Sequence, residues 1–498
     1  MHIHSVESER IGFVRLSTPI DFGSNRVTVL TGPNGSGKTE VLTTIANVFH
    51  GRFHERDVRP ACVAWDRDGF AAQTTYKSRE VTGTPRVVAQ TFSPFSRFPG
   101  PLHRHGETEL ASVLRSKESR GDEYIGIGFD HGAHVKMEDF SRLIVENGLL
   151  KLSEEPKAAR AVLNVLRELE FKEGMLLQYR ANRRLDELAS VSHVPGAMEQ
   201  AFQRFASTGV LDVQERRINT GGRWSSITLS NELRLRDVHE VAEYVRGALE
   251  LIRGHLDLER SRGNKASAYR FRTFEEFGMV GDFSVLQAFS VLRRLGLLTL
   301  IGCRLTPIGG KEVDVASASS GQQQLLCSFF GLAAALEDEA VVLIDEPELS
   351  LHPRWQMNFL RHLESVLEPF RGCHVIVATH SPLIAQSAIE HNAQIVHLAK
   401  EAVGLPQSRN GDKLSVEEAL ISIFETPVHN SLHVSNQIFE LVSKAEAGSH
   451  LEKLTAKTQL EAYLDLYRRH GEGSSQMIRL LEKALRLISF SAPTNFLR

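Results

Sequence analysis

Eight residues near the start of the chain, Gly32-Pro33-Asn34-Gly35-Ser36-Gly37-Lys38-Thr39, have the types and the spacing to hold a row of phosphates. They match G-x-x-x-x-G-K-[ST], in which glycines let backbone N–H groups turn toward anionic oxygens without Cβ clashes. The run follows an apolar, β-branched stretch (Arg26 to Leu30) and precedes a helix-like one (Glu40 to Phe49). A helix starting there adds the partial positive charge of its N-terminus. Lys38 then reaches the β- and γ-phosphates of a nucleotide, and the Thr39 hydroxyl holds Mg²⁺. The bland alternative is a glycine-rich turn with no ligand, and the flanking strand and helix weigh against it.

Three segments far downstream can complete the chemistry. Val341 to Glu346 is an apolar run ending in two carboxylates, the pattern of a buried parallel strand with acids at its carboxyl end. There Asp345 serves Mg²⁺, and Glu346 polarises the water that attacks the γ-phosphate. Ser319-Ser320-Gly321-Gln322 opens a helix-like stretch and reads as an anion-binding turn, or else as an ordinary serine cap. Cys373 to Thr379 is another buried-strand pattern, and His380 at its end can hydrogen-bond a γ-phosphate.

In this order the residues resemble the ABC-type ATPase superfamily. Gly32 to Thr39 match its Walker A motif, Ser319 to Gln322 its signature, Val341 to Glu346 its Walker B and His380 its switch histidine. The continuation Glu348-Leu349-Ser350-Leu351-His352-Pro353 is similar to soluble, non-transporter ATPases of the RecF and overcoming-lysogenization-defect branch. That branch includes DNA-repair proteins and stand-alone antiphage ATPases of the Septu and retron-associated kinds. The resemblance covers about the first hundred residues and Ser317 to Leu398. One departure is Ser320, where transporters carry the first glycine of the signature. The family also has a glutamine that touches Mg²⁺. Gln90 is the candidate, against a solvent-facing strand end, because it closes the strand-like run from Arg86. The following Thr91-to-Phe98 aromatic segment resembles the Septu-like ATPases.

The elements that must position these residues follow from composition and spacing. Roughly 300 residues separate the phosphate loop from Asp345, more than a compact nucleotide domain needs. The expected fold class is α/β: an ABC-type P-loop ATPase head with an antiparallel β lobe, a helical insertion and a C-terminal helical region. Residues 1–98 form the first part of the head, 99–310 a mostly helical insertion, 311–400 the second part of the head and 401–498 the helical end. Val58 to Gln90 holds short β-rich runs, whereas Pro156 to Leu188 and Val238 to Leu256 show helical apolar spacing. Leu286 to Cys303 and Leu325 to Leu336 are the most apolar helix candidates. No heptads are sustained, so long coiled-coil arms are not expected.

A net charge of −3 over 498 residues does not mark a nucleic-acid binder. Arginines and lysines concentrate between Arg216 and Arg272, but acids interleave them, as on a salt-bridged, solvated face. Cys62, Cys303, Cys327 and Cys373 are scattered, which fits buried thiols in a reducing compartment. Met1 to Arg10 shows no charged-then-apolar leader, and no apolar run reaches membrane-span length, so a cytoplasmic protein without membrane contact is expected.

The resemblance implies an ATP- and Mg²⁺-dependent switch. In the family, Ser319 and Gly321 of one subunit cap the γ-phosphate held by Lys38 of another, giving a homodimer or a higher even oligomer. Its output would lie in a partner effector, such as an HNH nuclease, in bacterial antiphage defence, with nucleic acid as a secondary contact. The alternatives are a DNA-repair or recombination ATPase acting on ends or gaps and, disfavoured by Leu349 to Pro353, a transporter subunit.

Overall fold

A computed structural model describes residues 1–16, 24–50, 61–67, 70–75, 85–92, 98, 124–127, 156–181, 185, 188–189, 192–194, 196–200, 238–253, 268–273, 284–285, 288–289, 292, 297–349, 351–398, 415–424, 426–429, 431–470 and 475–490. The chain opens with a hairpin, β1 (His2–Ser8) and β2 (Gly12–Arg15), then β3 (Arg26–Thr31), which runs into the phosphate loop and α1 (Lys38–His50). β4 (Ala61–Arg67), β5 (Phe70–Thr75), β6 (Val87–Thr91) and β7 (Tyr124–Ile127) follow. The middle of the chain carries α2 (Pro156–Glu168), β8 (Phe171–Ala181), α3 (Val238–Arg253), β9 (Ala268–Thr273), β10 (Leu298–Pro307) and β11 (Val313–Asp314). Then come α4 (Ser320–Ala335), β12 (Val341–Asp345), α5 (Pro353–Met357), α6 (Phe359–Leu367), β13 (His374–Ala378), α7 (Pro382–Glu390) and β14 (Gln394–His397). Four helices complete the described chain: α8 (Val416–Ser422), α9 (Leu432–Ala447), α10 (His450–His470) and α11 (Ser475–Phe490).

The six-stranded central sheet runs β14-β3-β13-β12-β6-β7, and every pairing in it is parallel. β12 and β13 are buried at every position, as strands covered on both faces must be. Side chains alternate between two cores. Leu343, Ile376, Val87 and Ala89 pack on one side with Leu42 and Ile45 of α1 and with Ile3, Val63 and Trp65 of the antiparallel sheet β2-β1-β4-β5. Val88, Val342, Ile344 and Val375 face the other way, toward α2, α4 and α6. The amphipathic spacing of Ala158, Ala161, Val162, Val165 and Leu166 turns one stripe of α2 into that second core. α1 therefore lies between two sheets, which fixes its N-terminus at the carboxyl ends of the parallel strands.

His374 ties those sheets together. Its Nδ1 accepts from the Ile3 N–H at 2.9 Å and its Nε2 pairs with the Thr28 hydroxyl at 2.9 Å, while that hydroxyl donates to the Leu16 carbonyl. Burial holds its pKa well below the usual histidine range, so the ring is a neutral link.

Three sequence expectations are corrected. Between residues 99 and 310 the described residues include α2 and α3 together with β7 and most of a second antiparallel sheet, β11-β10-β8-β9. The apolar spacing from Pro156 to Leu188 continues past α2 into a strand, β8, because Leu177 and Tyr179 alternate into the same core that the helix faces. Leu286 to Cys303 likewise ends as strand β10, paired with β8 along its length. And β6, grouped by sequence with an antiparallel lobe, is a parallel strand of the central sheet. Of the basic stretch, Arg216, Arg217, Arg223, Arg234, Arg236, Arg260, Arg262 and Lys265 lie outside the described residues, as do residues 93–97.

Candidate active site

Asp345 ends β12 directly in register with Ala378 of β13, and Ala378 is in register with Leu30 of β3. Three strand ends that are remote in sequence are thereby placed side by side, where open α/β sheets bind ligands. The Thr379 N–H donates to the Leu30 carbonyl and the Glu346 N–H to the Ala378 carbonyl, closing the rim with backbone bonds.

The phosphate loop turns on glycines in the left-handed region: φ is +142° at Gly32, +78° at Gly35 and +96° at Gly37. Lys38 closes over its own loop, donating to the Gly32 carbonyl at 2.7 Å, the Pro33 carbonyl at 3.0 Å and the Ser36 hydroxyl at 3.4 Å. Burial lowers its pKa to about 8, opposed by the negative charges of Glu348, Glu346 and Asp345. The Thr39 hydroxyl donates to Asp345 Oδ1 at 3.0 Å. Burial raises the Asp345 pKa to about 7; the Thr39 bond and Lys38 act against this, while Glu346 and Glu348 add to it. One lysine thus faces three carboxylates.

That imbalance favours a further cation. The hydroxyl and carboxylate at Thr39 and Asp345 are hard oxygen donors of the kind Mg²⁺ accepts. Among the described residues no group of three or more His, Cys, Asp or Glu forms a metal cage. Mg²⁺ needs none, because it takes most of its ligands from water and substrate phosphates. The residues present fit it.

Glu346 has φ +50°, a left-handed conformation rare for a residue with a side chain. His380 follows β13, and burial together with the Lys38 charge pushes its pKa down to about 4. Near neutral pH it is an uncharged ring with one N–H to give.

The signature turn is a complete helix cap. Ser319 Oγ accepts from the Gln322 N–H, and Gln322 Oε1 accepts from the Ser319 N–H and hydroxyl. Ser320 is exposed and Gly321 buried. The helix this turn opens, α4, packs on the sheet face opposite α1, so Ser319 to Gln322 do not gather with Lys38, Thr39 and Asp345.

Gln90 also stands apart. It is in register with Ile344, one residue short of Asp345, and alternation turns it toward α4, where its amide donates to the Ser328 hydroxyl. The residue in register with Asp345 is Thr91, which is buried.

Sequence reasoning missed a set of residues beside the site. Glu348 Oε2 accepts from the Thr379 hydroxyl at 2.8 Å and Oε1 from the His380 N–H at 2.5 Å. Gln356 accepts from the Ser381 hydroxyl at 2.7 Å and donates to the Leu351 carbonyl at 2.9 Å. The signal available in the sequence was the third acid of Asp345-Glu346-Pro347-Glu348.

Parts of the chain are similar to known proteins. The family described as "AAA domain, putative AbiEii toxin, Type IV TA system" matches residues 224–385, which include the signature, Walker B and His380 but not the phosphate loop. The chain is similar to the Retron Vc95 probable ATPase of Vibrio cholerae, 28% identical over 150 residues that make up 28% of each protein. It is also similar to the Retron Ec83 probable ATPase of Escherichia coli, 40% identical over 92 residues, 16% of each chain. Protein ea59 of phage lambda is 34% identical over 87 residues, 18% of this chain and 16% of its own length. The matched part is thus under a third of each of these relatives. Among solved structures, an Smc head bound to the C-winged helix domain of ScpA aligns over 78% of this chain and 92% of its own, at 11% identity. Its TM-score of 0.28 is too low to establish a common overall fold.

Over the matched part the chain is similar by class to AAA/ABC-like ATPases. The similarity there includes retron-associated probable ATPases.

Proposed function

We propose that the protein is an ABC-type, Mg²⁺-dependent ATPase switch that closes as a two-fold dimer around two ATP molecules and controls a separate protein effector in antiphage defence. The observation that carries the hydrolytic part is the Thr39–Asp345 hydrogen bond, made across 306 residues of chain at the rim that also holds Lys38 and His380.

On this reading the backbone N–H groups of the phosphate loop and the N-terminus of α1 take the β-phosphate. Lys38 leaves its loop carbonyls for the phosphate oxygens, which restore the stabilisation of its charge that burial removes. Thr39 and Asp345 are the residues that would hold Mg²⁺, which when bound neutralises charge on the β- and γ-phosphates. Glu346 orients the attacking water and takes its proton. The neutral His380 donates to the γ-phosphate. Ser319 and Gly321 of a second copy cap that phosphate. The position of α4 across the sheet from α1 supports a cap in trans.

Mixing subunits tests the assembly. Lys38→Ala alone and Gly321→Asp alone each break both sites of a dimer, while the mixed dimer regains one intact site. ATPase activity should therefore recover on mixing, measured by phosphate release with heterodimer formation verified by mass. Silence from a proven heterodimer would rule out the trans cap.

The effector reading rests on the named retron relatives and on the helices α9 to α11, which bury a core of their own around Leu460, Tyr463 and Tyr467. Pulldown against neighbouring gene products with ATP, ADP or no nucleotide should recover a protein in a nucleotide-dependent way. Tight DNA binding with no protein partner in any state would instead favour DNA repair.

A further inference from the structure

Two loops that follow adjacent strands are bolted together by side chains outside the proposed chemistry. After β12 come Glu346, Pro347 and Glu348; after β13 come Thr379, His380 and Ser381. Glu348 uses one oxygen for the Thr379 hydroxyl (2.8 Å) and the other for the His380 N–H (2.5 Å). Thr379 Oγ1 in turn accepts from the Ser381 N–H at 2.9 Å. Gln356 makes a second strut to the Ser381 hydroxyl, which caps α7 through the Leu383 and Ile384 N–H groups.

We propose that Glu348 is a positioning residue that locks the turn carrying Glu346 to the loop carrying His380, so that base and phosphate contact are set as one unit. The inference rests on the ATPase reading above. Two divergent donors need an acceptor with two oxygens. A carboxylate supplies both, whereas an amide must turn its NH₂ against one of the donors. The lock also explains how Glu346 keeps φ +50°. A strained left-handed residue persists only where its surroundings over-determine it. The turn is held at one end by the Glu346 N–H on Ala378 and at the other by Glu348 on the loop that follows the same strand. Lys38 and Thr39 lie on a different segment and keep their own contacts.

Glu348→Gln tests this because it preserves volume while removing one acceptor. The expected result is a kcat lower by ~10- to 50-fold, with affinity for a fluorescent ATP analogue within about threefold of wild type and an unchanged melting temperature. A double cycle with His380→Ala should be non-additive, the pair costing less than the product of the single losses. Thr379→Val, which removes one donor and leaves the carboxylate, should reproduce part of the kcat loss. A Glu348→Gln enzyme with wild-type kcat overturns the inference, and so does a loss shared equally by kcat and nucleotide affinity. The two readings fail differently. A wild-type chain that does not hydrolyse ATP removes the ATPase reading and this one with it, whereas normal wild-type turnover beside an unaffected variant removes Glu348 alone.

Discussion

Replacing Glu346 by Gln leaves ATP binding intact and slows turnover on the order of a hundredfold or more. The carboxylate follows Asp345 at the end of β12, in a turn that Ala378 and the Glu348 contacts hold in place. Gln keeps its shape and its hydrogen bond to water but cannot take the proton. The phosphate loop, α1 and the Thr39–Asp345 pair do not depend on it, so nucleotide still enters. The variant should therefore accumulate ATP-bound dimer, visible as a larger species by light scattering only when ATP and Mg²⁺ are present. Wild-type turnover in Glu346→Gln would remove it as the base.

Gly32→Ala abolishes the site by a different route. At φ +142° a side chain is strained, and the added Cβ would meet the Leu398 carbonyl oxygen at 2.6 Å and Ser36 Oγ at 2.9 Å. Ser36 can rotate. Leu398 cannot easily retreat, because its N–H donates to the Thr31 carbonyl at 2.8 Å and fixes the end of β14 against β3. The loop has to move, and with it the two carbonyls that hold Lys38. We expect a stability loss of about 2–4 kcal/mol by thermal melting. ATP affinity should fall by at least ~10-fold in a fluorescent-nucleotide titration, given the misplaced cradle. Gly35→Ala is the control, since its φ is +78° but nothing lies within 4 Å of the added atom. It carries the backbone strain alone and should lose less. Equal losses in the two variants would show that crowding by Leu398 is not the cause.

The site was legible wherever one short segment carries its own geometry. Gly32 to Thr39 follow from local sterics, because positive φ at Gly35 and Gly37 and the lysine that opens α1 are set by neighbours in the chain. The apolar run into Asp345 and the run into His380 are likewise strands whose burial is written in their composition. Periodicity misjudged Pro156 to Leu188 because apolar residues at three and four spacing occur in α2 and persist into β8, where pairing with β10 decides the conformation. Gln90 shows the same limit at one position. A shift of one residue along a strand reverses its face, and register with Ile344 sends its amide to Ser328 instead of toward Asp345.

The sequence by itself determined the phosphate loop, the two acids at a strand end, the histidine after the next strand and the capped turn at Ser319. All of these are encoded within a few residues, through backbone sterics and burial pattern. Only the tertiary structure decided which of them meet. It sets β13 between β3 and β12, bringing Thr39 to Asp345 and His380 beside Lys38, and it turns α4 to the opposite face of the sheet. It also revealed Glu348, whose role depends on two donors from the loop after β13, adjacent in space and 31 and 32 residues away in the chain. Strand order and register come from packing the whole sheet between two cores, and no local stretch of residues specifies them.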